Sequence, residues 1–215
     1  MALRKLIADP ADPALVRADW RGGLPELTDG SITLRELRAH DAASLVTHLS
    51  DPHVCRFIEP CPSTTTGFAR FIRWTHAERR RGKLACFGII PAGATRAVGV
   101  IQVWPIERDF STAEWGFALG RSYWGCGLFI GGARLALDAL FSQVGVYRLE
   151  ARAVDINRQG TRALEKLGAK RDGVLRGAFH DGAIVRDHVM WSILAPEWQM
   201  RRARRPSQMS KRLSR

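Results

Sequence analysis

From Ser31 to Leu194 the apolar positions switch repeatedly between the two-residue period of strands and the 3.6-residue period of helices. Ile32, Leu34 and Leu37 suggest a first strand. His40–Leu49 reads as a helix whose start Asp41 can cap. Ser50–Pro62 reads as a loop, because it holds Pro52 and Pro60 and ends on a third proline. Ser63-Thr64-Thr65-Thr66 supplies N-cap candidates for a long helix reaching Arg81. Phe68, Phe71, Ile72 and Thr75 share one face of it, and Arg79–Arg81 put positive charge at its end, as the helix dipole favours. Leu84–Ile90, Ala97–Trp104 and Ser111–Leu119 alternate like strands, the first two separated by a turn over Pro91–Arg96. A helix over Leu128–Gln143 follows the glycine-rich Trp124–Gly127, with Ala133, Leu135, Leu137, Leu140 and Phe141 as its apolar contacts. Val146–Val154 is a strand and Asn157–Leu167 a helix stopped by Gly168. Ala169–Leu175 and Ile184–Leu194 read as two last strands paired through His180-Asp181-Gly182.

Three successive strands imply antiparallel pairing, whereas strand–helix–strand needs a crossover and a parallel pair. The expected fold class is therefore α/β (α+β), a mixed sheet with helices on its faces. Residues 1–30, with Asp9-Pro10, Asp12-Pro13 and Gly22-Gly23, read as an irregular arm with room for a short helix near Leu15–Trp20, and residues 31–198 as the domain. Residues 199–215 read as a basic, disordered tail. Of the 33 Lys and Arg, seven fall in Arg201–Arg215 with no acid among them, so the tail supplies much of the net charge of +12. Such a tail is usually solvated, and its alternative is contact with RNA, the ribosome or another acidic partner. The apolar content of 46% is enough to build a core and excludes a disordered chain. No apolar run has the length of a membrane span or a secretion signal. Cys55, Cys61, Cys86 and Cys126 are scattered without zinc-knuckle spacing, which predicts free thiols in a cytoplasmic protein. The six histidines show no metal-ligand spacing, so no metal is expected.

The stretch from Ala113 to Phe129 runs from a strand through glycines into a helix. Glycines let backbone approach a phosphate closely, and the first amides of a helix point outward without internal partners. Taken alone, the pattern is as consistent with a tight turn as with an anion site.

The wider pattern resembles the acyl-CoA motif of the GNAT superfamily, in the branch that includes ribosomal-protein-alanine N-acetyltransferases. Glu114, Gly116, Phe117, Leu119, Tyr123, Trp124, Gly125, Gly127 and Leu128 match its central motif. Further matches follow in order: Tyr147-Arg148-Leu149-Glu150-Ala151, then Asn157 with Leu164-Glu165-Lys166-Leu167-Gly168-Ala169, then Gly173 to Arg176, and Trp191-Ser192-Ile193-Leu194 with Glu197-Trp198. The resemblance implies a splayed sheet with acetyl-CoA wedged where two parallel strands separate. Pantetheine would bond the backbone of Phe117, Ala118 and Leu119. The pyrophosphate would sit on amides of Trp124, Gly125, Cys126, Gly127, Leu128 and Phe129, and Asn157 would flank the thioester.

The sequence departs from that pattern at three places. Phe129 replaces a small residue, so its ring is expected to crowd the phosphate or shift the loop. Ile130-Gly131 replaces Thr-Glu, and each of Gly131 and Gly132 weakens the helix by about 1 kcal/mol against alanine. Gly160 replaces a serine whose hydroxyl can protonate the leaving thiolate.

Amine attack on a thioester needs a proton acceptor, and Glu114 is the candidate, with burial near Trp115 and Phe117 raising its pKa. Its alternative is a solvated or ion-paired strand carboxylate. Asn157 is equally suited to capping its helix. Tyr123 is expected to pack, and Cys126, without a His–Asp pair, to be unreactive. Asp51–Pro62, with Arg56, Glu59 and Pro60, would wall the acceptor cleft, where Glu59 would meet a cationic amine. Asp187-His188 would also line it. The reading is an N-acyltransferase, monomeric or homodimeric, moving an acetyl group from acetyl-CoA to a primary amine on a protein N-terminus or a small molecule. Two alternatives stay open: a non-catalytic acyl-CoA-binding module, and an RNA-associated protein acting through its tail.

Overall fold

The computed structural model describes residues 20–58 and 61–204. Eight strands form one sheet: β1 (Leu27–Thr28), β2 (Ile32–Glu36), β3 (Ala85–Pro91), β4 (Gly99–Pro105), β5 (Thr112–Leu119), β6 (Arg148–Val154), β7 (Lys170–Asp181) and β8 (Ile184–Leu194), in the order β1-β2-β3-β4-β5-β6-β8-β7. Among the described residues six α-helices cover it: α1 (Asp41–Leu49), α2 (Pro52–Cys55), α3 (Thr65–Arg80), α4 (Leu128–Ala139), α5 (Arg158–Leu167) and α6 (Ala195–Ala203). A π turn over Leu140–Val144 extends α4. The mixed sheet with helices on both faces is the expected fold class.

Strand pairing explains the shape. Strands β1 to β5 form an antiparallel meander, and β6 returns through α4 to lie parallel to β5. That parallel pair is short: it joins only Thr112↔Arg148, Ala113↔Leu149 and Glu114↔Glu150. Beyond Glu114 the two strands part, although β5 stays paired with β4 up to Leu119 and β6 with β8 up to Val154. The sheet is therefore open along one seam.

Alternating side chains divide the core into two layers. Trp115, Leu119, Leu149, Ala151 and Ala153 face α4, α5 and α6, with Leu137, Leu140, Leu164, Leu167 and Trp198. Cys86, Val100 and Ala118 face α1 and α3, with Leu45, Leu49, Phe68 and Ile72. Asp41 begins α1 at the first helical position, after His40 at the N-cap. Its buried carboxylate takes both Nη groups of Arg35, at 2.8 and 3.0 Å, and the amides of Arg38 and Ala97. Asp41 thus ties α1 to β2 and to the approach of β4, rather than acting as the expected cap.

Other expectations are corrected by contacts remote in sequence. The Ser50–Pro62 loop contains α2, whose start Asp51 caps by accepting from the His53 amide. That turn brings the Cα atoms of Cys55 and Cys61 to 5.7 Å, and the two form a disulfide instead of free thiols. Cys86 and Cys126 remain free. Residues 20–30 are not irregular throughout: β1 joins the sheet edge, and the Trp20 ring meets Phe87 edge-on at 5.5 Å. The assigned tail begins inside α6, which Trp198 fastens to α4 through its indole N–H on Asp138 Oδ1 at 2.7 Å. The basic run after Arg204, read as a solvated tail with RNA contact as the alternative, lies outside the described residues. So do Glu59, Pro60 and residues 15–19 of the expected short helix. Among the described residues no helix is long and apolar enough to cross a membrane.

Candidate active site

The opening between β5 and β6 is lined by backbone with unused hydrogen-bonding groups. The Gly120 amide donates to Val98 O, so alternation turns the Leu119 and Phe117 main-chain groups away from β4 and toward the seam. Ala118 has the opposite phase. Its carbonyl oxygen points at β4, only 2.6 Å from where a side chain on Gly99 would begin. Of the three strand residues singled out in the sequence, Phe117 and Leu119 offer backbone to the seam and Ala118 does not. The Leu119 carbonyl is already occupied, accepting the Trp124 indole N–H at 2.8 Å.

The loop after β5 makes a helical turn over Arg121–Tyr123, runs extended at Trp124 and reaches α4 through Gly125 and Gly127. Both glycines have positive φ, +79° and +84°, with nothing within 4 Å of a Cβ built there. Their lack of a side chain thus serves the turn and leaves the space in front of it open. Gly127 caps α4 without a side-chain bond, and the first turn carries no acid. The amides of Leu128 and Phe129 are therefore unspent, at the positive end of the helix dipole. The loop is held from behind by α1: the Tyr123 ring meets His48 edge-on at 5.3 Å, and a Cβ on Gly120 would lie 2.7 Å from His48 Cβ. Tyr123 therefore packs, as expected. The Cys126 thiol is exposed and bonds the Tyr123 carbonyl.

Phe129 does not crowd this loop. Its ring points into the core, 4.1 Å from the Phe117 ring centroid and 6.3 Å from Trp115. The neighbouring glycine has a packing reason too. A Cβ on Gly131 would lie 2.3 Å from Ile32 Cδ1, so a side chain there would require the Ile32 methyl to move.

Glu114 lies at the last paired position before the strands part. Its cross-strand neighbour is Trp104, which packs on the α1–α3 side, so the carboxylate opens onto that side of the seam. It is 13% exposed and its Oε1 lies 3.2 Å from Arg152 Nε. Burial pushes its pKa up. Arg152 and a hydrogen bond with the Trp104 side chain pull the other way, nearby Glu150 adds to the rise, and the net shift is upward.

Asn157 caps α5, accepting the Gly160 amide on Oδ1 at 2.9 Å. A Cβ on Gly160 would sit 2.7 Å from Asn157 Nδ2, so a side chain at 160 would have to displace the amide of the cap. Asp187 turns aside to accept the Gly177 amide. His188 lies on the same sheet face as Arg152. Its Nδ1 is buried without a partner, and its pKa is lowered by burial and by Arg152. Arg56 stacks over Phe57 at 5.4 Å, and Ile58 packs on the α1–α3 core layer, so this loop flanks the face that Glu114 opens onto.

Arg152 and Trp104 were not picked out from the sequence. A signal for Arg152 existed: Arg148, Glu150 and Arg152 alternate with Leu149, Ala151 and Ala153. A strand inside a sheet with one wholly polar face marks a stretch that no helix covers.

The acetyltransferase (GNAT) domain family matches residues 31–170. Among curated proteins, the uncharacterized N-acetyltransferase p20 of Bacillus licheniformis is 27% identical over 168 residues, 78% of this chain and 94% of that protein. Among solved structures, Mycobacterium smegmatis RimJ in complex with CoA-disulfide aligns at a TM-score of 0.72 with 23% identity, over 84% of this chain and 91% of that one. The Microcin C7 self immunity acetyltransferase MccE, in complex with acetyl-CoA and AMP, aligns at 0.69 with 19% identity, over 78% and 93%. At these identities the two structures speak to the fold alone.

Proposed function

The chain belongs to the GNAT acetyltransferase family, and from that premise we propose that it transfers an acetyl group from acetyl-CoA directly to a primary amine, with Glu114 as the proton acceptor. The observation that carries this reading is the seam itself. β5 and β6 part immediately after Glu114, and the glycine turn leads from the end of β5 to the unspent amides of α4. Pantetheine would lie in the seam against the Phe117 and Leu119 backbone, and the pyrophosphate against the amides from Gly125 to Phe129; the Trp124 amide, expected to join them, is spent on the Arg121 carbonyl. That arrangement would bring the thioester toward Glu114 on the open face.

In the reaction the amine nitrogen attacks the thioester carbonyl carbon. A C–N bond forms, the C–S bond breaks, the amine proton passes to Glu114 and the CoA thiolate takes a proton from solvent. Holding both reactants removes the entropic cost of their encounter, and backbone amides facing the thioester oxygen would stabilise its developing charge. Asn157 serves its helix as a cap, and its free Nδ2 would face the thioester end.

The test is turnover of acetyl-CoA with a panel of amines, following CoA release, for the wild type and Glu114→Gln. The reading expects turnover that Glu114→Gln removes while acetyl-CoA still binds. Full activity in Glu114→Gln would reject Glu114 as base. Binding of acetyl-CoA without turnover on any amine would favour a non-catalytic acyl-CoA-binding module.

A further inference from the structure

We propose that Arg152 selects the acceptor by binding a carboxylate carried close to the attacking amine, so that the preferred substrates are amino acids rather than simple amines or peptide N-termini. This rests on the reading of the seam as an amine acetyltransferase site and specifies which amine it takes.

Two arginines stand on the same face of β6, and their surroundings differ. Arg148 is held by two carboxylates: its Nε meets Glu150 Oε1 at 2.7 Å and its Nη2 meets Asp172 Oδ2 at 2.5 Å. Arg152 has one carboxylate, Glu114, reached through Nε. Its Nη groups have no partner among the described residues, and its side chain is 44% exposed. An arginine present only to hold the fold is expected to spend its fork as Arg35 does, with both Nη groups on one buried carboxylate. Arg152 instead turns one edge to the proposed base and leaves the other for a ligand.

The position suits a substrate contact. Arg152 lies past the last β5–β6 pair, where the β5 side of the strand is open. His188 is its diagonal neighbour on β8, since Arg152 pairs with Met190 and Val154 with His188. The His188 Nδ1 is buried, so the exposed guanidinium of Arg152 is the group this face presents. A planar guanidinium fork matches a carboxylate and discriminates against a neutral amide, which cannot accept two charge-assisted bonds. Because Nε already touches Glu114, a carboxylate on the Nη edge leaves an adjacent amine within reach of the Glu114 oxygens. Engaging that edge also draws the guanidinium from Glu114 and frees the base for the proton.

The test is steady-state kinetics with three matched sets: the common amino acids, their amides, and short peptides with free N-termini. Each set is run on the wild type, Arg152→Gln and Arg152→Lys. For the wild type we expect kcat/KM to favour the amino acid over its amide by about ten- to a hundredfold, the value of a charge-assisted pair. At a pH above the acid limb of each variant, Arg152→Gln should erase that preference through KM for the amino acid, with a smaller effect on the amide, and Arg152→Lys should restore part of it. Equal turnover of acids and amides by the wild type, preference for peptides, or an equal loss on every acceptor in Arg152→Gln would overturn the inference while leaving the acetyltransferase reading standing. If none of the three sets is acetylated by protein that binds acetyl-CoA, this inference falls, and the panel of simple amines decides the acetyltransferase reading.

Discussion

Arg152 Nε lies 3.2 Å from Glu114 Oε1, at the point where β5 and β6 stop pairing. The contact opposes burial: desolvation raises the Glu114 pKa, Arg152 lowers it, and the net shift is upward. A base must be ionised to work, so activity should rise with pH as Glu114 loses its proton. The acid limb of kcat/KM should lie above the ordinary glutamate range. Arg152→Gln removes the opposing charge and should move that limb further up. Glu114→Gln should lower kcat by about 10²- to 10⁴-fold, as loss of a general base does. A pH–rate profile of the three proteins checks these outcomes.

Phe129→Ala separates two accounts of a residue that departs from the family pattern. The ring is 9% exposed and packs on Phe117 and Trp115. Its loss should cost about 3–5 kcal/mol of stability, as large-to-small core changes do, with no gain in acetyl-CoA affinity. Tighter binding in this variant would mean that the ring crowds the phosphates after all. Chemical denaturation and calorimetry together decide it.

Gly131→Glu restores the residue common in the family and should destabilise this protein. The new Cβ would lie 2.3 Å from Ile32 Cδ1. Ile32→Val removes that methyl and should recover part of the loss, a coupling that a double-mutant cycle measures.

Asp41→Asn tests what holds α1 to the sheet. Breaking a buried pair leaves Arg35 without its counter-charge and should cost about 3–5 kcal/mol. Burial alone would raise the Asp41 pKa, but the Arg35 bond and the Arg38 and Ala97 amides outweigh it, leaving the pKa below 3.8. Asp41 therefore stabilises the fold fully above that value, and its contribution fades as pH falls through the lowered pKa. Thermal melts from neutral to acid pH should show the wild type losing its advantage over the variant.

What the sequence revealed was local. Asn157 and Gly168 bound α5 because capping and the left-handed turn depend on neighbours along the chain. The strands from Ala85 to Leu119 were legible because alternation and turns mark them. What it hid needed distant partners. The inward turn of Phe129 depends on the space beside Trp115, the close approach of Gly131 depends on Ile32, and the Glu114–Arg152 pair depends on where two parallel strands separate. The Cys55–Cys61 bond required the α2 turn, which a proline-rich stretch read as plain loop. Motif matching found the residues at the seam, while their phase, with Ala118 turned to β4, needed the register.

The seam and its glycine turn are the proposed seat of acetyl-CoA. Calorimetric titration of wild type and Gly127→Glu with acetyl-CoA tests this directly. The substitution puts a carboxylate beside the unspent amides of α4, at a residue with φ of +84° and open space around its Cβ position. Micromolar binding by the wild type, weakened at least tenfold in a Gly127→Glu protein that remains folded by circular dichroism, is the predicted result. Equal affinity in the two proteins, or no binding by the folded wild type, would contradict it.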